Sequence, residues 1–228
     1  SDSLQVITLH ITDPNGVDDA TISFTVSDST YTMNDSELNF SSDTLTFTPS
    51  SNFTEGVVGF ALISAADLFG DQLQTVISDS FTVDLSAPYI SGPQPAVGSF
   101  VSNLQPDISI MIIDSSSYIE PDSINLIVQG ITYSISDDAL TWNTTDSTLT
   151  FSPAAAGITF ADGDSINVSL TAYDHIDYSA PHPLEYEWSF GISLGGPTAQ
   201  LVSPTTQTFS SDSLQVITLH ITDPNGVD

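Results

Sequence analysis

The sequence predicts an all-β protein made of two alternating immunoglobulin-like antiparallel β-sandwich modules, and three observations carry that prediction. Apolar residues alternate with polar ones in short runs, as in Ile22, Phe24, Val26 and in Ile108, Ile110, Ile112, which is the period of a half-buried strand. Turn residues (Asp, Asn, Gly, Pro) recur between these runs about every 8–12 residues, the spacing of a sandwich. No segment has a helical period. The third observation is repetition. Residues 1–18, SDSLQVITLHITDPNGVD, return letter for letter as residues 211–228. The chain thus spans one period of 210 residues plus the start of the next, and identity at that length indicates near-identical copies in tandem.

A weaker repeat lies within the period. ITLHITD (7–13) aligns with ISIMIID (108–114), ATISFTV (20–26) with DSINLIV (122–128), and LTFTP (45–49) with LTFSP (149–153). Tyr31 matches Tyr133, Phe40 matches Trp142, and ALISAAD (61–67) matches SLTAYD (169–174). Residues 1–86 therefore read as module I, strands B to G, with strand A lying in the preceding copy. Residues 87–195 read as module II, and residues 196–228 as strands A and B of the next module I. Leu9, Ile11, Phe24 and Phe40 are the expected core of one sandwich. Ile110, Ile112, Leu126, Trp142 and Leu170 are expected in the other.

The charge balance excludes whole classes of function. The chain has 228 residues, no Lys or Arg, and 29 acidic residues, for a formal net charge of −29. Nucleic-acid binding needs cations to displace condensed counterions, and an anionic membrane surface would repel this chain. Phosphate recognition by Arg or by a P-loop Lys is ruled out. With no Cys, disulfides and thiolate chemistry are excluded too. A chain that is 39% hydrophobic can still build packed cores, so the charge does not imply disorder. Loss of every Lys and Arg removes all cleavage sites for trypsin-like proteases; adaptation to salt is the competing explanation.

No catalytic constellation stands out. There is no GxSxG elbow, and Ser, Asp and His combinations arise from composition alone, so the expectation is a protein that is not an enzyme. His10, and its repeat His220, falls between apolar strand positions and is expected at the surface. His175 and His182 flank the HIDYSAPHP segment beside Asp174 and Asp177; a His/Asp metal site is conceivable there, although the spacing matches no established motif.

The aspartates are the stronger signal. In a sandwich of this kind the B–C and F–G loops share a pole with the incoming linker. Asp114 ends strand B of module II, Asp174 ends strand F with Asp177 just beyond, and Asp84 lies on the linker. These four are expected to converge near residues 84–88 and to offer a calcium site that stiffens the joint. Asp13, Asp67 and Asp71 form a weaker set facing the other joint, whose linker around Gly195-Gly196 carries no acid. The alternative is that these aspartates only end strands and cap turns. Asn-x-Ser/Thr sequons at Asn34, Asn39, Asn52, Asn143 and Asn167 are glycosylation candidates.

The segment ISAADLFGDQ…FTVDLSAPYI (63–90), with strand B ending in Asp and strand F ending in Ala-x-Asp, resembles the bacterial immunoglobulin-like tandem repeats of giant cell-surface adhesin and stalk proteins. Asp71 stands where Asn is usual. The resemblance implies an extracellular, cell-surface location and a structural role in a filament or stalk serving adhesion or surface motility. Its partners would be neighbouring repeats of the same chain, or the same filament laterally. The alternative reading is a carbohydrate- or surface-binding module in which each repeat binds ligand.

Overall fold

A computed structural model describes residues 4–176, 181–205, 209–211 and 213–227. It contains 18 strands and one short 3-10 turn, Pro121–Ser123, among the described residues. Two compact units form. The first comprises Ser1–Ala87 with the loops Asp114–Tyr118 and Asp174–His182; the second comprises Pro88–Ile113, Ile119–Tyr173 and Pro183–Asp228.

The first unit holds β1 (Ile7–His10), β2 (Val17–Val26), β3 (Ser29–Thr32), β4 (Leu38–Ser41), β5 (Thr44–Phe47), β6 (Gly56–Asp67) and β7 (Ile77–Val83). They make two antiparallel sheets, β1-β5-β4 and β3-β2-β6-β7. Alternation drives this arrangement: along β2, Ile22, Phe24 and Val26 point inward and are buried while their neighbours are not. They meet Leu45 and Phe47 of β5 and Val58 and Leu62 of β6 in one core. The Phe24 and Phe47 rings lie 6.0 Å apart, and Tyr31 stands edge-on to Phe47 at 4.7 Å. β4 and β5 are joined through Ser42 and Asp43, both at positive φ (49° and 59°), the twist a two-residue hairpin requires.

The second unit repeats the plan. Its strands are β8 (Tyr89–Gln94), β9 (Phe100–Val101), β10 (Ile108–Ile113), β11 (Asn125–Val128), β12 (Ile131–Ser134), β13 (Leu140–Asn143), β14 (Thr148–Phe151), β15 (Ser165–Tyr173) and β16 (Pro183–Ile192). The sheets are β13-β14-β10-β8 and β12-β11-β15-β16-β9, the last pair parallel. Ile108 of β10 opposes Phe151 of β14 as Ile7 of β1 opposes Phe47 of β5. Ile110, Ile112, Leu126 and Leu170 are fully buried. Trp142 and Phe40, expected in the cores, are only partly buried and pack against them; they sit on β13 and β4, which are sheet edges. Leu9 is likewise partly buried, because β1 is an edge strand.

A last hairpin joins β17 (Thr198–Ser203) and β18 (Thr218–Thr222). β18 carries the same residues as β1 and the positions after it. Its pairing with β17 reproduces that of β8 with β10. Thr198 faces Thr222, Ala199 faces Ile221 and Gln200 faces His220, as Tyr89 faces Ile113, Ile90 faces Ile112 and Ser91 faces Met111. Both ladders also carry a register irregularity at the same place, between Thr218 and Leu219 and between Ser109 and Met111 respectively.

Candidate metal centre

Three residues grouped in the first unit, each next to a strand end, build the candidate centre. Asp84 follows β7 directly, Asp174 follows β15, and His182 immediately precedes β16. Asp84 is 4% exposed and Asp174 1%, so neither carboxylate is a solvated surface acid. Asp174 and His182 close the base of one loop. The His182 amide donates to Asp174 Oδ1 at 2.6 Å, and the His182 ring donates through Nδ1 to Asp174 Oδ2, also at 2.6 Å. The Asp174 amide reaches back to the His182 carbonyl at 3.4 Å. One ligand atom each from Asp84, Asp174 and His182 lies within 4.8 Å of the other two.

Asp84 is less well served. Its Oδ1 accepts the Ser86 amide at 3.2 Å, while its Oδ2 is buried with no hydrogen-bond partner. A buried carboxylate oxygen without a donor is costly. With no Lys or Arg in the chain, His182 is the nearby group able to carry positive charge.

Asp114 belongs to the same unit but stands outside the group of three. Its Oδ1 accepts the amides of Ser116 (2.9 Å) and Ser117 (2.7 Å) and the Ser117 hydroxyl (3.3 Å), which shapes a tight turn. Its Oδ2 is also buried and unpartnered. Asp177 lies outside the described residues. Glu55, which no motif or spacing singles out, accepts the hydroxyls of Ser86 and Ser116. The Ser116 and then the Ser86 hydroxyl hold its carboxyl below the usual range.

The weaker set has a different character. Asp67 is buried, and its Oδ1 accepts the amides of Phe69 (2.9 Å) and Asp71 (2.8 Å) while its Oδ2 accepts the Asn15 side chain at 3.2 Å. Asp13 accepts the Asn15 amide at 2.8 Å. Asp71 is exposed, and its carbonyl accepts the Asp67 amide at 3.0 Å. The Asp13 and Asp67 Oδ1 bonds tie carboxylate to turn backbone, and the Asn15–Asp67 bond joins two side chains across the turns. The Asp71 amide, foremost, holds the Asp67 carboxyl below its usual value, against burial, which pushes the other way. A carboxyl whose folded pKa is lowered stabilises the fold above the ordinary carboxylate range, near ~3.9, and loses that contribution as pH falls through the lower folded value. Acid unfolding followed from pH ~5 downward should therefore show a limb that flattens in Asp67→Asn, whereas the same change at exposed Asp71 should leave it intact.

Asn34, Asn39, Asn52, Asn143 and Asn167 are all exposed. His10 is exposed too, with its ring Nδ1 2.7 Å from the Asp43 carbonyl. No helix among the described residues is long and apolar enough to cross a membrane.

No family model matches the sequence, and no curated protein does. Among solved structures, the chain is similar to a part of a 1.5-MDa bacterial ice-binding adhesin, at 14% identity and a TM-score of 0.37, covering 89% of this chain and 64% of that one. It is similar to a tetra-tandem repeat from the extending region of a large adhesion protein, at 12% identity and a TM-score of 0.34, covering 98% of this chain and 60% of that one. It is also similar to CopC from Methylosinus trichosporium OB3b, at 14% identity and a TM-score of 0.34, covering 46% of this chain and 93% of that one. Bacterial adhesin repeats and immunoglobulin-like modules are thus among its structural neighbours. The assignment to immunoglobulin-like sandwiches rests on the sheet order and register described above.

Proposed function

We propose that the chain is a structural repeat of an extracellular filament or stalk extending from a cell surface and serving adhesion. The observation that supports this most is the return of residues 1–18 as 211–228, together with a terminal hairpin whose register copies the β8–β10 pair. A strand equivalent to Thr198–Ser203 from the preceding copy would then complete the open edge of β1, and each copy would hand its last strand to the next. Stability in such an array comes from each repeat and its immediate neighbours. The absence of Lys and Arg suits a surface protein exposed to trypsin-like proteases. Electron microscopy of an array of three or more periods tests the reading. A strand rises about 3.3 Å per residue, so two modules in line should give an axial repeat of roughly 70–90 Å. A repeat under about 50 Å would mean that modules fold back on one another.

A further inference from the structure

We propose that Asp84, Asp174 and His182 form a binding site for one divalent transition ion of the zinc class, in preference to calcium. The donor set decides the class. Calcium takes six to eight oxygen ligands in a flexible shell. This group brings two carboxylates and one imidazole within 4.8 Å of one another. Imidazole nitrogen with carboxylate oxygen, in a group of three with room for a further ligand, is what zinc and its neighbours in the first transition row accept.

The second observation is the orphaned oxygen. Asp84 is 4% exposed and its Oδ2 meets no donor, so the site presents a buried negative charge to two other ligands. A divalent ion supplies the missing partner and the missing charge together. It also answers the crowding of two buried carboxylates in a chain without Lys or Arg, since the ligating histidine can carry at most one positive charge. The backbone has already positioned the ligands: Asp174 and His182 are tied across the base of their loop by the His182 amide, and Asp84 is fixed by the end of β7.

Binding requires a small change. The His182 ring and Asp174 Oδ2 stand 2.6 Å apart in a hydrogen bond. Two ligands at about 2.0–2.1 Å from a tetrahedral ion lie about 3.3 Å apart. The ring proton leaves, the contact opens by less than an ångström, and the freed nitrogen turns to the ion. Asp84 also lines a cavity of about 640 Å³ in this unit, shared with Ser116, Tyr118 and His175, so this ligand borders open space. The site stands independently of the filament reading.

The test uses the whole 228-residue chain, stripped with chelator and titrated in parallel with zinc, cobalt and calcium chlorides. One equivalent of zinc should bind and raise the melting temperature. Calcium at about 5 mM, well above what its tighter protein sites need, should not. His182→Asn and Asp84→Asn should each weaken zinc binding by about tenfold or more, with the β-sheet circular dichroism spectrum retained; His10→Asn should leave it unchanged. Zinc affinity that survives His182→Asn, a calcium response equal to that of zinc, or no binding of either ion would overturn the proposal. Should the variants fail to fold, cobalt in the unaltered chain decides. Intense visible absorption at one equivalent supports a low-coordinate nitrogen–oxygen site, and weak absorption like that of the hydrated ion refutes it.

Discussion

Phe151→Ala should cost about 3–5 kcal/mol, among the largest losses expected of a single truncation in the second unit. Phe151 is fully buried, its ring centroid lies 4.6 Å from that of Tyr133, and its backbone pairs with Ile108 on one side and Leu140 on the other. The cavity left by the ring would therefore be walled by strands from both directions and could not close. Both tryptophans of the chain, Trp142 and Trp188, belong to this unit. Their fluorescence during urea unfolding reports it without interference from the first. With a urea dependence of about 1–3 kcal/mol per molar, the midpoint should fall by roughly 1–5 M. Val57→Ala, at a β6 position that is 73% exposed, should stay within about 0.5 kcal/mol of the unaltered chain. A Phe151→Ala cost below about 1 kcal/mol would show that the two sheets do not close over this ring.

The second large effect concerns the edge of β1. A chain extended ahead of Ser1 by a copy of residues 196–210 should be more stable in its first unit by about 2–6 kcal/mol, taking about four new ladder bonds at 0.5–1.5 kcal/mol each. The register is specified by the terminal hairpin: counterparts of Thr198, Ala199, Gln200, Leu201 and Ser203 should face Thr12, Ile11, His10, Leu9 and Thr8. Leu9, now only partly buried, gains a neighbour. Hydrogen exchange is the direct readout, with amides of residues 8–12 slowing in the extended chain. Equal exchange in the two chains would remove the basis for strand sharing between copies.

Much of the fold was legible because period-two alternation survives in nearly every strand. Ile108, Ile110 and Ile112 needed no structure to be placed in a core, nor did Phe24 between Ile22 and Val26. The misplaced residues share a cause. Trp142, Phe40 and Leu9 lie on edge strands, and alternation tells which face a side chain points to, not how much lies beyond it. Leu4 and Val6 continue the pattern of β1 but precede its ladder, and both are more than 40% exposed. The candidate centre was legible only in part. Asp84 and Asp174 stood out as acids ending strands without a compensating base. His182 was readable beside Asp174 as a conceivable ligand, but its 2.6 Å contact with Asp174 and its grouping with Asp84 depend on tertiary geometry that no residue spacing reveals. Glu55 gave no signal at all, because its partners are serines in a chain full of serines.

The matched hairpins β8–β10 and β17–β18 have a consequence for how such a protein can change. In the proposed array every copy would meet the next through the same register, with the same irregularity at the same rung, so a gain or loss of whole 210-residue units would leave every strand pairing as it was. Nothing inside a sandwich records its position in the series. Unequal exchange between the near-identical stretches of its gene would therefore yield proteins of different reach that fold equally well. Length becomes a heritable trait that can be adjusted in fixed steps, without any cost in structure.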